Sequence, residues 1–362
     1  MSWDNVTSVY SAKIWTDNPD TTQAHLFANG NHQAKLTVRL IFNVVDANQP
    51  GPTQDECKAA LSLVDYQTGA DLSFLKVGDK GEYTCVYQEN MPAAITPLPE
   101  ADNQMATPPH SGSYEFDLYV SSDSTINANY AAENVALFIS FIDASGTEIT
   151  YNTTANGKPS YVAVTVHPPK KYAMPGSGLV PFILYEQDSK PHYVKDDYGV
   201  VSKDSIDNMV VYGLRIDDPY FIITHYEASN TASSPTAFRQ IIISNNSEGS
   251  QYSYHLVQGY LPLQNNVKEK NYSYTTLLGI EGYTSSGATA DLTSYNVDIY
   301  QMSGVIIFVN IEAEIAWDFY GAGDLVKSSA SAKLVVFDQF GNQANVEVGA
   351  GKDSPLTLSS VT

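Results

Sequence analysis

The chain reads as an all-β protein of two tandem β-sandwich domains, immunoglobulin-like or jelly-roll-like. Three observations predict this. Apolar residues alternate with polar ones over many short runs, the runs are punctuated by Gly, Pro, Asn and Asp, and no amphipathic helix longer than two turns stands out. The clearest run is Val305 to Trp317, where Val305, Ile307, Val309, Ile311, Ala313, Ile315 and Trp317 occupy every second position. Successive side chains of a strand point to opposite faces, so one face of this strand is apolar throughout. The intervening Ile306 and Phe308 give way to Asn310, Glu312 and Glu314, which predicts a strand covered on both faces at its start and wet on one at its end.

Length and composition bound the rest. A chain of 362 residues suffices for two ordinary domains, and its 43% apolar content excludes wholesale disorder. The formal net charge is -21. Such a field repels phosphate backbones and anionic headgroups, so nucleic acid is an unsuitable partner, whereas cations are favoured. No apolar run reaches the roughly eighteen residues of a transmembrane helix. The opening MSWDNVTSVYSAKIW lacks a basic start and an apolar stretch, so no secretory signal is expected in it. The expectation is cytoplasmic synthesis, with release by lysis or a signal-independent route, or assembly on a particle or surface; a chain trimmed of its leader reads the same way. Cys57 and Cys85, 28 positions apart, form no CxxC, and two free thiols are favoured over a disulfide.

In the first half, Val9 to Trp15 is expected as an edge strand. Asn29-Gly30 marks a tight turn because both residues accept positive φ. Leu36, Val38, Leu40 and Phe42 then alternate with polar and smaller neighbours until Asp46-Ala47-Asn48-Gln49-Pro50-Gly51-Pro52 ends the strand. Further strands are predicted at Leu61 to Tyr66, Gly81 to Tyr87, Tyr114 to Val120, Val135 to Ile142 and Tyr161 to Val166. Between them a Pro-rich loop runs over 91–113, of a length that is usually functional or mobile. The first domain spans 1–167. His167-Pro168-Pro169 through Gly176-Ser177-Gly178 reads as a linker over 168–178, since its prolines and glycines suit no ladder.

The segment ANGNHQAKLTVRLIFNVVDAN, residues 28–48, resembles the opening of bacterial immunoglobulin-like domains of the invasin/intimin type. Fainter echoes are Tyr151, Ala155, Asn156, Gly157 with Tyr161 to Val166, similar to the closing hairpin of such domains, and Ala332 to Val348. Gln49-Pro50 stands where the family usually has glycine. The resemblance implies a β-sandwich and, through the family's habits, adhesion.

The second domain, 179–362, is predicted to hold strands at Val180 to Tyr185, Asn208 to Ile216, Tyr220 to Tyr226, Phe238 to Ser244, Tyr252 to Tyr260, Tyr272 to Ile280, Val297 to Tyr300, Val305 to Trp317 and Lys333 to Phe337, with Asn345 to Val348 closing the sheet. Tyr252-Ser253-Tyr254 and Tyr272-Ser273-Tyr274, 20 residues apart, suggest adjacent hairpin strands.

No catalytic signature is present: the seven histidines form no HExxH, no serine sits in GxSxG, and Gly321-Ala322-Gly323 lacks the lysine of a phosphate loop. Glu312 and Glu314 fall on one strand face about 7 Å apart, a spacing paired glycosidase carboxylates also use, but such carboxylates usually come from different strands and a solvated face is the favoured reading. Asp196, Asp197, Asp217 and Asp218 offer hard oxygen ligands for Ca²⁺, the one cofactor considered, although Asp commonly initiates turns without a metal. Tyrosine is the distinctive residue: 25 tyrosines outnumber the 19 lysines and arginines. Tyr252, Tyr254, Tyr260, Tyr272, Tyr274, Tyr283 and Trp317 are the candidate contact residues, because a tyrosine ring buries area while its hydroxyl stays wet. The expectation is a non-enzymatic structural or adhesive protein that self-assembles, or binds a glycan or cell-surface receptor, through β-edges and tyrosine-rich faces. Alternatives are a carbohydrate-binding module and a β-pore-forming toxin, the latter because Thr284 to Gly323 resembles a membrane-inserting hairpin and Val305 to Trp317 exceeds the ~9–11 residues a tilted membrane strand needs.

Overall fold

The alternation of Ala34, Leu36, Val38, Leu40 and Phe42, all buried, builds the central strand of the N-terminal half. A computed structural model describes residues 3–17, 22–88, 112–123, 131–189, 205–228, 237–245, 252–260, 270–280, 290–315, 332–350 and 356–362. The fold is all-β. It forms two compact units, one of Met1–Lys170 with Phe340–Asn342 and one of Lys171–Gln339 with Gln343–Thr362. The Pro-rich stretch expected at 91–113 lies almost wholly outside the described residues.

The first unit contains β1 (Val6–Trp15), β2 (Gln23–Phe27), β3 (Gln33–Val44), α1 (Gln54–Ala59), β4 (Leu61–Asp65), β5 (Leu75–Gly78), β6 (Ser113–Ser122), β7 (Ala131–Ile142), β8 (Glu148–Asn152) and β9 (Tyr161–His167). One sheet has the order β1-β3-β6-β5, with β1 at its edge; the other runs β2-β9-β7-β4, with β8 also on β7. All of these ladders are antiparallel except β2 on β9, which is parallel. The inner faces meet in one core: the β3 residues pack with Val135, Leu137, Ile139 and Phe141 of β7 and Val162, Val164 and Val166 of β9. Trp3 closes one end, stacked on Phe141 at 4.3 Å and edge-on to Phe42 at 5.6 Å. Short α1 is set by a capping box. The Thr53 hydroxyl accepts from the Glu56 N–H while the Glu56 carboxylate accepts from the Thr53 N–H, so two otherwise orphaned donors are satisfied. The helix buries Cys57, whose thiol burial pushes up to about 12, and no disulfide joins it to Cys85.

Two expectations for this unit change. Gly81 to Tyr87 is not a strand but a single bridge, His32 to Tyr83. Its backbone is committed elsewhere: the Tyr83 carbonyl accepts from the Gln33 N–H, and the Gly81 N–H donates to the Gln33 side chain. The sheet is completed by β5 instead. Nor do β8 and β9 form the closing hairpin of the resemblance; both line the same edge of β7, at Phe138–Ile142 and Ala131–Ala136 respectively.

The second unit contains β10 (Tyr172–Ala173), β11 (Val180–Ser189), β12 (Ser205–Ile216), β13 (Ile223–Ala228), β14 (Ala237–Asn245), β15 (Tyr252–Tyr260), β16 (Lys270–Ile280), β17 (Ala290–Gln301), β18 (Ile306–Ile315), β19 (Ala332–Asp338), β20 (Gln343–Ala350) and β21 (Leu356–Val361). They form a six-stranded sheet β10-β11-β12-β18-β15-β14, a four-stranded sheet β13-β19-β20-β21, and a two-stranded ribbon β16-β17. Val305, Ile306, Ile307 and Phe308 are all buried, so the start of β18 is covered on both faces as its sequence predicts. Phe182, Leu214, Ile306 and Phe308 are buried on the larger sheet, as are Leu334, Val336, Val346 and Val348 on the smaller, and β21 lies against β10 and β11. Tyr172, inside the stretch read as linker, is buried and donates its hydroxyl to Asp338 at 2.5 Å; burial, then that carboxylate, holds its pKa far above the ordinary phenol range.

Pairing overturns three further expectations. β15 and β16 are not neighbours: β15 lies between β14 and β18, and β16 pairs with β17. The arms of the expected membrane hairpin, β17 and β18, belong to different sheets, because β18 has a partner on each side, β12 and β15. The sheet that Asn345 to Val348 was expected to close continues to β21.

Leu40→Ala, which empties a fully buried site in the first core, is expected to lower the stability of that unit by about 2–5 kcal/mol. Tyr10→Ala, on the exposed face of β1, should stay within about 0.5 kcal/mol. Urea unfolding followed by near-ultraviolet circular dichroism checks both.

Candidate functional site

The most organised polar cluster is in the first unit, where the turn between β2 and β3 meets residues Phe340–Asn342. Asn29 and Gly30 make the turn, with Gly30 at φ 76°. The Asn29 side-chain oxygen accepts from the N–H groups of Asn31 and His32 at 2.9 and 2.8 Å, which fixes the local backbone. Its amide nitrogen donates to the Phe340 carbonyl at 2.9 Å and to the Asn342 side chain at 3.0 Å. Asn31 donates to the Gly341 carbonyl, and the Lys170 N–H donates to Asn342. Gly341 has φ +72°, and a Cβ there would meet the Asn31 Cβ at 2.6 Å and the Tyr83 ring at 2.9 Å. Only glycine suits both the conformation and the space.

Beneath these bonds lies a box of rings: Phe27, Tyr87 and Phe340 with His25, His32 and His167. Phe340 stands 5.1 Å from His32, 5.3 Å from Tyr87 and 5.5 Å from Phe27 by ring centroid. Tyr87 packs edge-on against His167 at 5.1 Å. His25 Nδ1 and His167 Nε2 are 2.9 Å apart, so one nitrogen donates and the other accepts. His32 is fully buried. Its Nδ1 is 3.0 Å from the Phe27 N–H, which can only donate, and its Nε2 is 2.8 Å from the Cys85 carbonyl, which can only accept. These partners assign the neutral tautomer protonated on Nε2. Burial is the main cause that drops the His32 pKa from 6.5 to about 4, with the neighbouring His167 adding to it. His25 and His167 are bonded to each other, and His32 is bonded to backbone through both nitrogens, which leaves His32 no lone pair for a metal.

The residues singled out from sequence do not converge here. Asp217 is exposed and pairs with Arg215 at 3.4 Å, whose guanidinium lies over the Tyr185 ring. Asp218 accepts from the Tyr220 N–H at 2.8 Å in a turn. Among the described residues no group of three His, Cys, Asp or Glu is placed to hold a metal, and Asp196 and Asp197 lie outside them. Tyr252, Tyr254 and Tyr260 fall on β15, Tyr272 and Tyr274 on β16; these are different sheets, so no single tyrosine ladder forms. Tyr283 and Trp317 lie outside the described residues. Glu312 and Glu314 sit on a central strand, opposite Asn208 and His255, and Ser205 and Ser253, in backbone register. The histidine box was missed because its members are 142 residues apart in the extreme case, with no motif to connect them.

Fold and geometry together define an all-β sandwich protein with a polar, ring-lined cluster in its first unit. No known protein family matches the chain, and no curated protein does. A solved structure titled BspA_C_WT aligns over 97% of this chain and 98% of its own at 9% identity, with a TM-score of 0.19, a superposition too loose to support an argument. No helix among the described residues is long and apolar enough to cross a membrane.

The depressed His32 pKa has a consequence for stability. The unfolded chain takes up this proton near pH 6.5 and the folded one only near 4, so the stabilisation is complete above about 6.5 and drains as pH falls towards 4. It amounts to roughly 3 kcal/mol, and His32→Asn, which keeps an acceptor for Phe27, should flatten that part of the stability–pH curve measured by urea titration. Gly341→Val is expected to destabilise by roughly 2 kcal/mol or more through strain and overlap, read as a lower melting temperature.

Proposed function

We propose that the protein is a non-enzymatic structural or adhesive component that associates with further copies of itself through open strand edges. The observation that carries this reading is the β16–β17 ribbon. Its register runs from Lys270 opposite Gln301 to Ile280 opposite Ala290, yet among the described residues neither strand has a second partner. An isolated two-stranded ribbon is marginal in water, and an edge strand with no ladder partner among the described residues offers backbone donors and acceptors to a neighbouring chain. Pairing there uses main-chain hydrogen bonds for affinity, the mode of β-augmentation. Tyr272 and Tyr274 belong to this ribbon and supply rings of a type favoured at interfaces. A net charge of -21 opposes association at low ionic strength, so contact between copies is governed by screening.

Size-exclusion chromatography with light scattering tests the reading. The mass should exceed that of one chain, rise with concentration, and rise further between roughly 20 and 300 mM salt, where the Debye length shortens from about 20 Å to below 10 Å. Replacing residues 270–301 by a short Gly-Ser turn should return the protein to single-chain mass. A strict monomer at high concentration and high salt contradicts the proposal.

A further inference from the structure

We propose that Asn156, in the turn between β8 and β9, is a site of spontaneous modification in the folded protein. The Gly157 backbone nitrogen attacks the Asn156 side-chain amide, and water opens the resulting succinimide to aspartate or isoaspartate. The other Asn-Gly step of the chain, Asn29-Gly30, is shielded from the same reaction by the bonds its side chain makes.

The chain has two Asn-Gly steps, at 29–30 and 156–157. Glycine after asparagine favours ring closure, because no side chain hinders the attacking nitrogen and the backbone reaches conformations closed to other residues. In the first stage a bond forms between Gly157 N and Asn156 Cγ, and the Cγ–Nδ2 bond breaks. Nδ2 leaves as ammonia, taking up a proton in place of the one the Gly157 N–H gives to solvent. In the second stage water adds to a ring carbonyl. Cleavage between N and Cγ gives aspartate; cleavage between N and the main-chain carbonyl carbon gives isoaspartate. Water is the sole co-reactant, nothing is oxidised or reduced, and a neutral amide becomes a carboxylate.

Geometry separates the two steps. The Gly30 N–H donates to the Ser122 carbonyl and the Gly157 N–H to the Thr154 carbonyl, each at 2.9 Å, so the attacking nitrogens start alike. Their targets differ. The Asn29 side chain makes four hydrogen bonds: its oxygen accepts from the Asn31 and His32 N–H groups, and its nitrogen donates to the Phe340 carbonyl and the Asn342 side chain. Those bonds must break before Cγ can swing onto Gly30 N. Asn156 is exposed, and its side chain makes no hydrogen bond to any described residue. An ordered turn ordinarily slows this chemistry, yet here the turn lies at the surface, where local opening is least costly. Nor can the turn dispense with its glycine. A Cβ at 157 would meet the Asn152 Oδ1 at 2.0 Å and the Asn152 carbonyl oxygen at 2.5 Å. The reactive pair is therefore built into the loop by packing.

The full chain is incubated at mildly alkaline pH in water enriched in heavy oxygen, folded and in urea, until the unfolded sample has reacted. Digestion and mass spectrometry then map the modified residues. In the folded protein the label should enter at 156, as both aspartate and isoaspartate, at least about tenfold faster than at 29, because the Asn29 amide must first give up several hydrogen bonds. In urea the two positions should react at comparable rates. Asn156→Gln, at an exposed position, lengthens the ring to be closed and should remove the principal acidic form that ion exchange resolves from fresh protein. Equal rates at 29 and 156 in the folded chain overturn the proposal, as does an Asn156 that reacts only in urea. So does a difference between the positions that persists in urea, aspartate without isoaspartate, or an acidic form undiminished in Asn156→Gln.

Discussion

Burial of Val305 to Phe308 on both faces of β18 is the constraint on which the second unit depends. Four consecutive apolar side chains cannot be satisfied by a strand with one wet face, so β18 is covered on both faces at its start; in the ladder β12 runs along Ile306–Glu314 and β15 along Val309–Ile315. β17 precedes β18 by a short turn at Met302 to Gly304, with Gly304 at φ 74°, yet its ladder is with β16. It folds back on β16, and the ribbon is left without a third strand among the described residues.

The first unit solves a different problem. Its two sheets share a core of alternating side chains, and the parallel pairing of β2 on β9 brings the ends of those strands together at Phe27 and His167. Buried polar groups at that end must find partners, and they do so with one another and with backbone: His25 with His167, His32 with Phe27 and Cys85. Such networks fix a unique arrangement when fully satisfied and are costly when a buried group is left unpaired. Asn29 extends the same logic outward, using every hydrogen-bonding side of its amide to bind its own turn and residues 340–342.

Strand positions were legible in the sequence wherever alternation was strong, as in Leu36 to Phe42 and Val305 to Phe308, because a period of two is a local property. Pairing was not. The tandem Tyr-Ser-Tyr motifs suggested neighbours, but β15 pairs with β14 and β18 whereas β16 pairs with β17. Gly81 to Tyr87 has strand composition, yet the Gln33 side chain and the turn at His32 claim its hydrogen bonds. The Asn29-Gly30 turn was readable; its second role, gripping residues more than 300 positions away, was not, since nothing local marks a long-range acceptor. For the same reason the histidine box was invisible, while the aspartates that looked like ligands proved to be a turn acceptor and an ion-pair partner where described.

Hydrogen exchange on the full chain, read by mass spectrometry across a range of protein concentrations, tests most directly whether the β16–β17 ribbon is an edge waiting for a neighbour. Amides in 305–309 should be strongly protected at every concentration, and those in 270–280 and 290–301 should gain protection as the chains associate. Ribbon amides that are equally protected in dilute and concentrated protein would contradict the account.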